Sequence, residues 1–249
     1  MLFRSCHWVT RKETRFQIEI SQKDPKILYK IKKHLGFGNV IKYSKKKSRD
    51  VFYWRYSTGR FENIQRLILL FNGNFISVYK HTMLCRFIEN FKSVHNKAIS
   101  LKPRLALTPL KMQDNYWLSG FLEGDGGFYA KQPLNPNKKT LSTGLVIKFY
   151  VTQKDELVLL NHIRTFFQMP CSLGTLTNGQ TNVKYNRVET CNLKSLILVK
   201  KYLQTYPFLG QRGILIKRWI RLIDYKLNDY PLTVTSSKKL TRLVLGTKR

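Results

Sequence analysis

Acidic residues are scarce in this chain of 249 residues: 14 Asp and Glu stand against 45 Lys and Arg, a formal net charge of +31. That is the balance of a polyanion binder. Long apolar runs are missing too. None approaches the roughly 20 residues a helical membrane span needs, which places nucleic acid ahead of anionic lipid as partner. The four cysteines, Cys6, Cys85, Cys171 and Cys191, have no C-x-x-C spacing, and the five histidines do not join them at zinc-ligand intervals. A structural zinc site and a disulfide framework are therefore not expected. What is plentiful is core-forming material: 43% hydrophobic and 13% aromatic residues are too much for a disordered basic tail, so the charge is carried on a folded body.

The chain repeats itself. Phe16-Gln17-Ile18-Glu19-Ile20-Ser21-Gln22-Lys23-Asp24 returns 131 residues later as Ile147-Lys148-Phe149-Tyr150-Val151-Thr152-Gln153-Lys154-Asp155. Each copy opens on an alternating strand that ends in Gln-Lys-Asp. Helical spacing follows, through Ile27, Leu28, Ile31 and Leu35 and through Leu157, Leu160, Ile163 and Phe167. After a Gly-punctuated bend comes a strand pair, 40–44 with 51–57 in the first copy. In the second it surrounds Asn178-Gly179, a dipeptide that favours a tight primed turn. Helices over 64–71 and 196–203, then 82–91 and 214–227, complete two α+β units. The expected layout is a first unit over 1–99, a linker over 100–115 containing Pro103 and Pro109, a second unit over 116–229 and a flexible basic tail over 230–249.

The second unit begins with Leu118-Ser119-Gly120-Phe121-Leu122-Glu123-Gly124-Asp125-Gly126. Gly120 and Gly124, one helical turn apart, clear a face on which a second helix can pack closely. Asp125 falls at the helix C-terminus, where the macrodipole disfavours negative charge and a bound cation would offset the penalty. Read blandly, the same segment is a buried helix stopped by an Asp-Gly-Gly turn. Shifted by the repeat offset, a first-unit counterpart would begin before Met1. The opening residues, basic with the single acid Glu13, faintly resemble an organellar presequence, but the loop and strand after such a helix account for them more simply.

With these residues in place, 117–128 resembles the signature helix of LAGLIDADG homing endonucleases, and the two-unit layout is similar to their single-chain members. The resemblance runs from about residue 16 to 229, carried by the helix, Val151-Thr152-Gln153-Lys154 and Pro207-Phe208-Leu209 in the second unit. In the first it rests on Ile20-Ser21-Gln22-Lys23-Asp24 and Leu70-Phe71-Asn72-Gly73-Asn74. It implies an α+β fold of two pseudo-symmetric units with antiparallel DNA-binding sheets, the N-terminal unit truncated, and an intron-encoded, site-specific, metal-dependent double-strand cut in a long DNA target. By the same resemblance Asp125 binds Mg2+ with the Gly124 carbonyl beside it, and Glu123 stabilises the helix end. Gln153 and its partner Gln22 hold solvent near the metal, and Arg212 and its counterpart Lys80 are basic groups near the phosphate.

Two-stranded ribbons fit the major groove, so base contacts are expected from strands: Lys42, Ser44 and Lys46 with the alternating Tyr53, Arg55 and Ser57 in the first unit, and, in the second, Lys131 and Lys148 with either Asn182, Lys184 and Asn186 or the opposite face, Tyr185 and Arg187. Lys45-Lys46-Lys47 and Lys138-Lys139 suit phosphate contacts. The family site takes one acid from each of two signature helices, and this sequence holds one. An incomplete or exon-fused reading frame is the favoured explanation, ahead of a partner supplying the second helix or a decayed gene. The alternative function is an RNA maturase acting on its host intron. The abundance of Lys, Asn, Ile, Phe and Tyr suits an AT-rich organellar genome, a mitochondrion or another organelle such as a chloroplast.

Overall fold

The computed structural model describes residues 2–9, 14–45, 48–96, 98–103, 115–132, 144–228 and 233–247. It divides into two units, Met1–Ala106 and Leu107–Arg249. The first contains β1 (Leu2–Val9), β2 (Thr14–Gln22), α1 (Pro25–Leu35), β3 (Asn39–Lys45), β4 (Ser48–Thr58), α2 (Phe61–Phe71) and α3 (Val78–His95). Its four strands form an antiparallel sheet in the order β1-β2-β4-β3. The repeated Gln-Lys-Asp has a local cause here: β2 ends at Gln22, and the Asp24 carboxylate accepts the Lys26 N–H at 2.9 Å to cap α1. Gly36, at φ 78°, ends that helix in the left-handed conformation that glycine adopts without strain. Phe16 and Ile18 of β2 meet Ile64, Leu67 and Ile68 of α2 and Leu84, Phe87 and Phe91 of α3, with Phe16 edge-on to Phe87 at 5.5 Å. A smaller cluster of Ile20, Leu28 and Tyr56 joins the sheet to α1.

The second unit contains α4 (Trp117–Asp125), β5 (Gly126–Lys131), β6 (Val146–Gln153), α5 (Leu157–Phe166), β7 (Gly174–Thr177), β8 (Lys184–Thr190), α6 (Leu193–Thr205), α7 (Arg212–Leu227) and α8 (Val234–Leu245). Its sheet, β5-β6-β8-β7, repeats the strand order of the first. The registers repeat as well, with Ile20 opposite Tyr56 and Val151 opposite Val188. Phe128 of β5 packs edge-on to Trp219 of α7 at 5.1 Å, and Leu118 and Leu122 of α4 are wholly buried.

Two expectations, the tight Asn-Gly turn and the flexible tail, are corrected, and one is met: the signature helix ends at Asp125 and passes directly into β5, because Gly126 is extended and the next residue lies under the Tyr150 ring. A Cβ on Gly127 would lie 2.1 Å from that ring, so only glycine lets β5 and β6 approach so closely. Asn178-Gly179 makes no two-residue turn: Asn178 donates to the Val183 carbonyl at 2.9 Å, and its side chain accepts the Gln180 N–H, closing a wider loop. The tail carries α8, capped reciprocally by Thr233 and Ser236, and it buries Leu240 and Val244 where α8 packs on α7. Its apolar positions look sparse in sequence because they need only cover a neighbouring helix. The linker is described only at its ends. Residues 100–103 lack helix and strand, and the Asn72 side chain holds them, donating to the Ser100 carbonyl at 2.7 Å and accepting the Lys102 N–H at 3.0 Å.

Candidate catalytic acid and nucleic-acid interface

Two residues far apart in sequence lock the end of α4. Glu123 accepts the backbone N–H groups of Leu209 at 3.0 Å and Gly210 at 2.7 Å, holding the loop ahead of α7. Arg212, the first residue of α7, donates back to the carbonyls of Glu123 and Gly126, the latter at 2.6 Å, with the Leu122 and Gly124 carbonyls at 3.4 Å. A guanidinium is well suited to this place, since a helix C-terminus presents unpaired carbonyls and the negative end of its dipole. Burial pulls the Arg212 guanidinium below its ordinary value, while the negative charges of Glu123 and Asp125 oppose that shift. Arg212 is therefore a half-buried cap on α4 rather than a solvated surface residue. The interlock leaves the Asp125 carboxylate exposed, with no hydrogen bond or ion pair to a described residue.

Gln153 lies two residues past the last β5–β6 pair, Gly126 with Val151, so the end of β6 runs beside the α4–β5 junction. Gln153 is half-buried and pairs with Asn186, as half-buried Gln22 pairs with Trp54 in the first unit. Lys80 is half-buried in the first turn of α3, its N–H on Ser77. Gly120 is exposed, and a Cβ there would meet no atom within 4 Å. Among the described residues no group of three or more His, Cys, Asp and Glu could hold a metal.

Each sheet has one face against its helices and one turned away from them. In the first unit Phe16, Ile18, Ile20 and Tyr56 point inward, leaving Gln17, Glu19, Tyr43, Tyr53 and Arg55 on the outer face. Arg55 pairs with Glu19 at 2.8 Å and stands 4.7 Å from the Tyr43 ring, which stacks on Tyr53. In the second unit the outer face carries Tyr129, Lys131, Lys148, Tyr150, Thr152, Arg187 and Glu189. Lys148 and Arg187 flank Glu189 at 2.8 and 3.6 Å, Arg187 donates to Thr152 Oγ1 at 2.8 Å, and its guanidinium lies 4.5 Å from the Tyr150 ring. The Lys148 hydrogen bond holds the Glu189 carboxyl below its ordinary range.

The strand register splits the expected contact set. Lys42 and Ser44 stand opposite Trp54 and Phe52, so they share the inward side, and Lys42 Nζ sits 4.0 Å over the Phe52 ring. Lys184 likewise alternates away from Tyr185 and Arg187, on the side of Val188. Alternation links residues two apart but does not say which set faces the helices. Lys46, Lys47, Lys138 and Lys139 lie outside the described residues. Sequence reasoning passed over Glu19, Glu189, Tyr43 and Tyr150; acids on alternating strands of so basic a chain were the available signal.

Comparison with known proteins bears on this two-unit frame. A family model described as LAGLIDADG endonuclease matches residues 5–100 and 118–223, one stretch in each unit. The chain belongs to the LAGLIDADG endonuclease family. A relative named probable intron-encoded endonuclease 4, from Neurospora crassa, is 26% identical over 86% of this chain and 37% of its own length. The chain spans half or less of the length of this and a second Neurospora crassa relative. Probable intron-encoded endonuclease aI3 of Dictyostelium citrinum is 28% identical, with 86% of each chain covered. Among solved structures, that of the LAGLIDADG meganuclease I-AabMI bound to uncleaved DNA superposes with a TM-score of 0.72 over 99% of this chain and 94% of that one, at 19% identity. That likeness establishes the LAGLIDADG fold of two repeated α+β units with antiparallel sheets.

Proposed function

We propose that this protein is an intron-encoded, site-specific endonuclease acting on double-stranded DNA, with a divalent metal, Mg2+, held at Asp125. The observation that carries the reading is an exposed, unpaired carboxylate fixed at the end of a signature helix by the Glu123 and Arg212 interlock. In so basic a chain, an exposed carboxylate that makes no hydrogen bond or close ion pair to a described residue, with the Arg212 guanidinium nearby engaged by backbone carbonyls, suits a metal ion. Mg2+ commonly takes one or two carboxylates and completes its shell with water and substrate phosphate, so Asp125 with the Gly124 carbonyl fits it without a larger protein cluster. When bound, the metal supplies an activated water and neutralises charge on the phosphodiester.

The other roles belong to the chain. Glu123 and Arg212 position Asp125, Gln153 orients solvent beside it, and the outer sheet faces hold the duplex. Gly120 and Gly124 offer the face for a second helix. Gln22 and Lys80 are the first-unit counterparts of Gln153 and Arg212. The relatives named as intron-encoded endonucleases support an intron as the setting, and the Lys-, Asn- and Ile-rich composition favours an organellar one, mitochondrial in the first instance.

A supercoiled plasmid carrying the uninterrupted insertion site tests this reading. Mg2+-dependent linearisation is expected, and Asp125→Asn should abolish it while duplex binding remains. Cleavage that survives in the variant would remove Asp125 from the site. Tight binding to intron RNA with no cleavage would move the reading to the maturase.

A further inference from the structure

The two outer faces hold the same device at the same place. Arg55 stands opposite Ser21, and Arg187 opposite Thr152. Each arginine is one ladder step from the glutamine that ends its strand pair. Each lies against tyrosine, Tyr43 for Arg55 and Tyr150 for Arg187, and each is joined to a glutamate, Glu19 or Glu189. The acid is not inherited at one repeat position. Glu19 is on β2, opposite Ser57, whereas Glu189 is on β8, opposite Tyr150. The two units thus reach the same arginine and glutamate couple by different substitutions.

A carboxylate is costly on a surface that binds phosphates, and this chain has only 14 acids to place. Two of them stand mid-sheet beside the arginines, where base edges would face a ribbon lying in the major groove. Arg55 and Arg187 keep 24% and 30% of their side chains exposed, so both are reachable, and Arg55 Nε is buried with no partner. Stacking and pairing restrict the guanidinium planes before any ligand arrives, which lowers the ordering cost of a bidentate contact. In the major groove a G·C pair presents two acceptors on guanine and the amino donor of cytosine. An arginine fork beside a carboxylate is the complementary set.

We infer that Arg55 with Glu19, and Arg187 with Glu189, are readers of one G·C pair each, the arginine contacting guanine. Glu189, partly exposed, positions Arg187 and accepts from cytosine, while Glu19, only 7% exposed, serves only to position Arg55. The inference rests on the reading of the outer faces as a duplex-binding surface. Selection from a randomised duplex library with the full chain tests it, using Arg55→Lys and Arg187→Lys, which keep the charge, and Glu189→Gln, whose position is partly exposed. Melting temperatures confirm that each variant is folded. The wild type should select two G·C pairs. Each lysine variant should lose about tenfold discrimination at one of them and leave the remaining positions unchanged. Glu189→Gln should relax the same position as Arg187→Lys. Unchanged profiles, or an even loss of affinity at every position, would make the couples cross-strand scaffolding and overturn the inference. If the wild type enriches no sequence, the failure lies with the site-specific DNA reading itself and takes this inference with it.

Discussion

Arg212 shows how much a single side chain does in the second unit. Its guanidinium serves carbonyls at the end of α4 from 86 to 90 residues away in sequence. Replacing it with alanine leaves those carbonyls short of donors in a half-buried place, so Arg212→Ala should cost about 2–3 kcal/mol of stability in urea denaturation. Arg212→Lys should recover part of this, because a point charge cannot fork between two carbonyls. Tyr202 makes a second long connection, accepting the Ser119 N–H at 3.1 Å and donating to the Asn115 carbonyl at 3.0 Å. Burial pushes its phenol up to about 12 from 10.0. The neutral form is favoured in the folded state, so this stabilisation is complete below pH 10 and declines as pH rises toward 12. An alkaline titration of unfolding free energy should show that decline, reduced in Tyr202→Phe. Neither role was legible from spacing, since both depend on partners brought together by folding.

At the scale of elements, repeated patterns were readable and isolated ones were not. The strands ending in Gln-Lys-Asp, the hairpin of the first unit and the paired helices before each C-terminal segment all show in the alternation and 3.6-residue spacing of the chain. Helix α8 lacked a repeat counterpart, and its basic surface concealed two buried apolar residues. Leu240 is fully buried. Leu240→Ala should therefore destabilise the second unit by about 2–4 kcal/mol, measured by chemical denaturation; a change near zero would return this segment to the status of a tail. The wide loop over 178–183 was missed for a different reason. Asn178 satisfies the backbone with its own side chain, a local competition that the Asn-Gly pair does not reveal.

For the whole molecule, a net charge of +31 predicts binding dominated by phosphate neutralisation. If six to ten phosphates are engaged, duplex affinity should fall by about 10³ to 10⁵ between 50 and 200 mM salt, a slope readable by fluorescence anisotropy. A flat salt response would sink the polyanion reading. Composition, the 131-residue repeat and the helix ending at Asp125 determined the charge balance, the two-unit plan and the position of the candidate acid, because these are written in local order. Tertiary structure decided the rest. It turned Lys42 and Ser44 to the side of Trp54 and Phe52, made Arg212 a helix cap, and set Glu19 beside Arg55. Alternation along one strand carries no information about which face a helix will cover, and a hydrogen bond spanning 86 residues has no periodicity to betray it.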